Sequence, residues 1–408
     1  MCEVNVNPVH GPGMLTGVSV IDLSETRGAY AARMLADLGA AVFRVEPPLR
    51  RAEDPGSRLP GMDFSARSVF NNLSKTIAEL DDTSPAGRAE LQTMLASADI
   101  VVTDTRPEEL RRRSLDDLSA RYPRLIHLSV SPWGLTGPDS DRPASDLSML
   151  AAGGLLSLAG DPDDPPVRPY AEQSSVAACL HGVVGALIAL FARDCKGADG
   201  AGQLVDVSAQ EAVAHSLENA VQYLDLEGLV RTRTGSRSSE AGTGLFRCLD
   251  GHVYLVTGLG GLPLAWDGLI GWLRESGAAG IADKLSGQQW LDQQWRRSAE
   301  AVQGFHTLFE RYAAGRTKVQ LCEEGQRHGV SISPVSTPED LLANEQLLAR
   351  GFFRQIPVNG ETVTVPGAPY RFEGVEVGPV SPRRVHRTGR AQAPVSATPP
   401  AHPDSPAA

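Results

Sequence analysis

The chain has 408 residues, 41% of them apolar and 21% charged, which suits two globular domains; its formal net charge of -11 with scattered basic residues excludes a basic nucleic-acid surface. The longest apolar run, Val183 to Ala192, is about half of the roughly 20 residues a bilayer span needs, and the opening MCEVNVNPVHGPG lacks the basic patch and apolar core of a secretion signal. Five cysteines without a CxxC pair read as reduced thiols of a cytoplasmic protein, and the histidines show no HExxH or His-x-His spacing that would hold a metal.

In chain order, VSVIDL is a short run rich in β-branched residues. AYAARMLADLGA carries apolar positions at helical spacing with a Gly near its end, and AVFRVE is a second strand. Strand, crossover helix and strand imply a parallel pair, hence an α/β fold with a doubly wound, mostly parallel sheet. SARSVFNNLSKTIAELD offers strand-like ends, PAGRAELQTMLASA an amphipathic helix and DIVVTD a strand. RPEELRRRSLDDLSARYP reads as one charged helix, and RLIHLSVSPWG as the next strand. Ligands of such sheets sit at the strands' carboxyl ends, which puts the SETRG, EPPLRR, TDTRPEE and SPWGLTGP loops on one rim. SETRG lacks the GxGxxG pattern, so a dinucleotide site has no support. A lone acid, Glu172, then precedes SSVAACLHGVVGALIALFAR, which reads as a buried helix, and GQLVDVSAQEA follows. His127 and His181 read as core histidines.

Residues 213–240 look like a long linking helix that ends in the polar loop RTRTGSRSSEAGTG. LFRCLDGHVYLVTG reads as two strands around the Asp250-Gly251 turn. A mostly helical segment follows, and its Trp266, Trp272, Trp290 and Trp295 suit the core of a small α+β domain. GLGGLP at 258–263 lacks the Lys of a phosphate loop. Thr337 and Pro338 open a helix, and beyond 377 the Pro-, Ala- and Ser-rich composition suits a disordered tail. The expected layout is a large domain over 14–215, a linker over 216–240, a small domain over 241–332, a return segment over 333–376 and a tail over 377–408.

Several of these stretches also carry a resemblance. LTGVSVIDLSETRGAYAARMLADLGAAVFRVEPP, NLSKTIAELD, ADIVVTDTRPEEL, PRLIHLSVSPWGLTGP and QLVDVSAQEA follow one another, with weaker similarity through VSTPEDLLANEQLLARGFF to VPGAPYRF. Together they resemble the class III CoA-transferase family, which also contains acyl-CoA racemases. The resemblance implies a Rossmann-like large domain built from the first and last parts of the chain and a smaller middle domain. It further implies a homodimer of interlocked chains, acyl-CoA and a carboxylic acid as substrates, and no tightly bound cofactor. Family contacts to CoA fall here on Gly28 and Ala29, on Asn72 and Lys75, and on Asp104, Thr105, Arg106 and Arg112. Asp104-Thr105 replaces an Asn-Phe pair, losing an aromatic and adding a negative charge. The run Arg111-Arg112-Arg113 either compensates for that charge or forms a solvated face.

The family's nucleophilic Asp aligns with Glu172, judged by the spacing to Ala186-Leu187. A Glu moves the carboxylate by about 1.5 Å, and about 1 Å of misplacement can cost on the order of a hundredfold in rate. Glu172 is then either the covalent carrier of acyl and CoA groups or a helix-start acid complementing the dipole. The second reading makes the chain a catalytically impaired CoA binder. Racemase chemistry needs an acid/base pair, and the place of the family's His reads Ser145, beside Asp146. The Gly-rich lid of some members has a short counterpart in Gly242-Thr243-Gly244.

Overall fold

Strand β1 (Ser19–Asp22), helix α1 (Ala29–Asp37) and strand β2 (Ala41–Glu46) form the expected parallel unit, with Ser19 opposite Ala41 and Asp22 opposite Arg44. All four residues of β1 are buried, as befits a central strand covered on both faces. The structure, a computed structural model, describes residues 13–46, 65–195, 197–235, 238, 240–358 and 360–385. The EPPLRR loop beyond Glu46 and the tail beyond 385 lie outside them.

SARSVFNN is not strand-like. It forms helix α2 (Ala66–Asn72), whose N-cap Ser65 accepts the backbone N–H of Ser68. A side-chain acceptor ahead of the segment satisfies an orphan helix donor and overrides the β preference of Val69 and Phe70. Strand β3 (Thr76–Glu79), helix α3 (Pro85–Ala96) and strand β4 (Ile100–Thr103) follow. The single charged helix is in fact two short ones, α4 (Pro107–Arg112) and α5 (Leu118–Arg121), broken where Ser114 takes a left-handed φ of 55°. Strand β5 (Ile126–Ser131), helices α6 (Asp146–Ala152) and α7 (Gln173–Asp194), strand β6 (Leu204–Ser208) and helix α8 (Ala209–His215) complete this part.

The sheet runs in the order Arg383–Val385, β3, β2, β1, β4, β5, β6, with every neighbouring pair parallel. Arg383–Val385 therefore joins the sheet as an edge strand, within residues whose composition suggests tail. A hairpin of Phe353–Val358 and Glu361–Pro366 packs Ile356, Val358 and Val365 against Val69 and Leu73 of α2.

Helix α7 is long and apolar enough to cross a membrane by length and composition, yet one face lies on the sheet core. That face is made of Ala178, Cys179, Gly182, Val183, Ala186 and Ala189. The approach is close: a Cβ on Gly182 would stand 3.1 Å from Leu128 of β5. The helix is not buried all round, because Leu180, Val184, Ile188 and Phe191 are exposed. His181 is exposed too, its ring edge-on to His215 at 5.0 Å, so it is no core histidine. His127 is buried, with Nε2 2.8 Å from the Thr103 hydroxyl.

Two units account for the described residues, one within 1–155, 169–219 and 345–408, the other within 156–168 and 220–344. In the second, Thr243–Cys248 and Gly251–Val256 pair as an antiparallel hairpin, and Ser331–Pro334 adds a third strand. Trp266, Trp272 and Trp290 are buried with Phe246, Phe305 and Phe309, and Trp295 packs against them. Gly244 lies in the first strand of this hairpin, opposite Leu255, and Gly242 stands in the turn just before it, its carbonyl accepting the backbone N–H of Thr257 at 2.7 Å. The linking helix ends at His215, and a separate helix spans Ala220–Glu227.

Candidate active site

Parallel strands joined by helices put the amino end of each helix at the carboxyl ends of the strands. Helix α7 connects β5 to β6, so its start, with Glu172, stands at that rim. Seven residues beyond Glu172, the Cys179 thiol donates to the Arg27 carbonyl in the β1–α1 loop at 3.0 Å. Glu172 is the N-cap residue of α7 by position, but its side chain makes no capping hydrogen bond. Asp146 of α6 does that work from outside, accepting both the backbone N–H of Ser174 at 2.9 Å and its hydroxyl at 2.6 Å. A carboxylate at a helix start normally satisfies these donors. With Asp146 in that role, the Glu172 carboxylate is turned elsewhere.

It meets Arg67 in the first turn of α2. The two side chains form an ion pair that solvent reaches, 32% and 29% exposed. Arg67 is well placed to hold still, because α2 is fixed on both sides. Phe70 stacks on Tyr30 of α1 at 5.7 Å with the Arg33 guanidinium 4.0 Å over its ring, while Val69 and Leu73 pack under the hairpin. Just before Glu172, Ala171 has a φ of 62°, a left-handed conformation that costs a non-glycine residue about 1–2 kcal/mol.

The residues expected to contact CoA divide by accessibility. Gly28, Ala29, Asn72, Lys75, Asp104 and Thr105 are buried. Lys75 corrects the expectation of a phosphate partner. Its ammonium donates to Asp22 at 2.7 Å, to the Ala29 carbonyl at 2.8 Å and to Asn72 Oδ1 at 3.2 Å. An ammonium has three donors, so none is left for a ligand. Burial pushes Lys75 down to about 8, with Asp22 opposing and Arg44 adding to the fall. Burial alone would raise the Asp22 carboxyl, but Lys75 and Arg44 on either side bring it below its ordinary value.

Asp104 is likewise structural. Its carboxylate accepts backbone N–H groups from Glu25 at 2.6 Å, Thr26 at 2.8 Å and Gly28 at 3.0 Å. The negative charge thus organises the SETRG loop and does not face a polyanion. Gly28 fits because a Cβ there would stand 3.1 Å from the Ser24 side chain and 3.3 Å from that of Asp104. Asn72 donates to the Ser68 carbonyl at 2.9 Å. The Thr105 hydroxyl is buried without a hydrogen-bond partner among the described residues.

Arg106 and Arg112 remain accessible. Arg106 donates to the Asp141 carbonyl at 2.8 Å. Arg112 pairs with Glu109, Arg111 with Asp141 and Arg113 with Asp82. Each arginine of the basic run therefore has an acid beside it, as on a solvated face. Ser145 caps α6 in a capping box with Ser148. With Asp146 bound to Ser174, the positions of a racemase pair both serve helix starts. A cleft of about 350 Å³ lined by Arg350, Arg354, Tyr370, Arg371 and Phe372 contains none of these residues.

Two contacts at the start of α7 leave no signature in the sequence. Arg67 lies 105 residues from Glu172, with no local signal to connect them. Asp146 follows Ser145 in the sequence with nothing local to mark it as the cap of α7, a role that needs α6 and α7 side by side.

The family model of CoA-transferase family III matches residues 15–384. The chain is 39% identical over 365 residues to succinyl-CoA:(R)-benzylsuccinate CoA-transferase subunit BbsE of Thauera aromatica, covering 86% of this chain and 87% of that protein. It is 29% identical over 369 residues to the succinyl-CoA--L-malate CoA-transferase alpha subunit of Chloroflexus aurantiacus, covering 87% and 83%. In fold it is similar to a CAIB/BAIF family protein from Brucella suis, with a TM-score of 0.77, 24% identity and coverage of 92% and 97%. A family match over nearly the whole chain and a relative 39% identical across most of it agree: the chain belongs to CoA-transferase family III and is a CoA-transferase.

Proposed function

We propose that this CoA-transferase moves CoA from succinyl-CoA to a second carboxylic acid through a covalent intermediate on Glu172. The observation that carries the reading is that Glu172 leaves the capping of its own helix to Asp146 and holds its carboxylate at the strand-end rim. The donor class comes from the relatives, which include succinyl-CoA:(R)-benzylsuccinate and succinyl-CoA--L-malate transferases.

The chemistry divides one exchange into carboxylate-for-thiolate steps. A Glu172 oxygen attacks the thioester carbon, the C–S bond breaks, and CoA leaves as thiolate from a mixed anhydride. The thiolate then attacks Cδ of Glu172, the bond from Cδ to the bridging oxygen breaks, and the donor acid departs as carboxylate. Glu172 is left as a CoA thioester. The acceptor carboxylate attacks that thioester and the same two steps run in reverse, returning Glu172 and releasing the new acyl-CoA. Gly28, Ala29, Asn72, Lys75, Asp104 and Thr105 shape the loops of the CoA groove from within, and Arg106 and Arg112 supply accessible cations for its phosphates. The test is Glu172→Gln: transfer falls at least a thousandfold while CoA still raises the melting temperature as in the parent. Unchanged transfer would sink the reading.

The active assembly is proposed to be a homodimer. The outward stripe of α7, with Leu180, Val184, Ile188 and Phe191 exposed along one helix, is apolar surface of the kind that subunits cover. The relatives' names speak of subunits, and this supports a second reading in which the partner is a related chain and carries the nucleophile. Full activity of a two-chain assembly containing Glu172→Gln would favour it.

A further inference from the structure

We infer that Arg67 is the binding site for the carboxylate of the exchanged acid, an inference that rests on the covalent reading of Glu172. Its anion in the resting protein is Glu172, the group that loses its charge when it becomes an anhydride or a thioester. Among the described residues Lys75 pairs with Asp22, Arg111 with Asp141 and Arg113 with Asp82, acids that the proposed reaction leaves charged. Arg67 alone of these is stripped of its counter-ion by the reaction itself.

A guanidinium uncovered in this way binds the next carboxylate available. As CoA thiolate cleaves the anhydride, the donor acid appears as a carboxylate beside Arg67, in the position that the Glu172 oxygens had occupied. Exchange of that acid for the acceptor happens at Arg67. The acceptor is thereby held within reach of Cδ of the Glu172 thioester. When it attacks, it forms the second anhydride and expels thiolate. The thiolate takes the acyl group, and the Glu172 carboxylate returns to Arg67. One carboxylate arrives for each that leaves, so the guanidinium is never left facing a neutral site at the end of a half-reaction. The partial exposure of both side chains gives the acids a way in and out, and the clamped α2 fixes the guanidinium while they pass.

The experiment is isotope exchange between succinyl-CoA and labelled succinate with the full-length protein, its Arg67→Ala and its Arg67→Lys variants, each checked by melting temperature. In parallel, the Glu172 adduct of the parent protein is trapped with hydroxylamine and identified by mass spectrometry. The expected result is a KM for succinate raised about 10–100-fold in Arg67→Ala and less in Arg67→Lys, with the KM for succinyl-CoA within about twofold of the parent. Methylguanidinium lowers the raised KM of Arg67→Ala in a dose-dependent way. A fall in kcat with an unchanged KM for succinate would overturn the inference and leave Arg67 as a residue that only positions Glu172. A parent protein that neither exchanges label nor forms the adduct would overturn the covalent reading, and this inference with it.

Discussion

Asp104 shows how far a single residue's meaning depends on its surroundings. In the sequence it is an acid where a polyanion is expected; in the fold it gathers three backbone N–H groups of the β1–α1 loop. Its replacement by Ala leaves those buried donors unsatisfied and is expected to lower stability by about 3 kcal/mol, read as a shift in the urea midpoint with unchanged m; a shift under about 0.5 kcal/mol would contradict that role. His127 makes a second prediction at this scale. Burial pushes its imidazole down to about 4, against about 6.5 in an unfolded chain. Between these values the unfolded chain holds a proton that the folded protein does not, so stability falls as pH drops through this window, by up to roughly 3 kcal/mol. Urea melts at pH 7 and 4.5 check this. His127→Gln is expected to flatten the slope, and an equal slope in parent and variant would refute it. Glu172 was legible as a candidate because an acid stands at the right distance from Ala186-Leu187. Its partner Arg67 was not, since an ion pair between α2 and α7 leaves no periodic trace in the chain.

Among the elements, those dictated by local chemistry were readable and those dictated by neighbours were not. β1, α1 and β2 follow from β-branched runs on either side of a helical pattern. The Ser65 cap of α2 and the Ser114 break between α4 and α5 turn on one hydroxyl and one backbone angle, which the surrounding Val, Phe and Arg residues obscure. Helix α7 is apolar on both faces, so periodicity alone could not tell which face meets the sheet. The packing resolves it by size. Small residues such as Ala178, Gly182 and Ala186 allow close approach to β5, and the larger Leu180, Val184, Ile188 and Phe191 point away. At the start of α7, Asp146→Ala is expected to cost about 1–2 kcal/mol through the lost cap. It also leaves the Ser174 N–H as a competitor for the Glu172 carboxylate. Transfer activity is therefore expected to fall further than it does in a distant variant of equal melting temperature; parity between the two would show that the cap does not orient Glu172.

For the whole molecule, the parallel sheet collects the α2, α6 and α7 starts at one rim, which is why residues separated by long stretches of chain meet there. The order of strands follows from right-handed crossovers and was foreseen in outline. The return of Arg383–Val385 to the far edge of the sheet was not, because a three-residue edge strand amid prolines resembles tail. Assembly belongs to this scale as well. For the proposed homodimer, Ile188→Asp on the outward face of α7 is expected to leave the folding free energy of the separate chain within about 0.5 kcal/mol while the parent scatters light as a dimer and the variant as a smaller species; a parent that scatters as a monomer would contradict the homodimer, and equal masses would contradict a contact through α7.

In the proposed cycle the Glu172 carboxylate becomes first an anhydride and then a CoA thioester. The direct measurement is mass spectrometry of the protein incubated with succinyl-CoA and quenched with hydroxylamine. The prediction is a hydroxamate at Glu172, present in the parent protein and absent from Glu172→Gln. A protein that exchanges label while its Glu172 peptide stays unmodified, or one modified only at another residue, would contradict it.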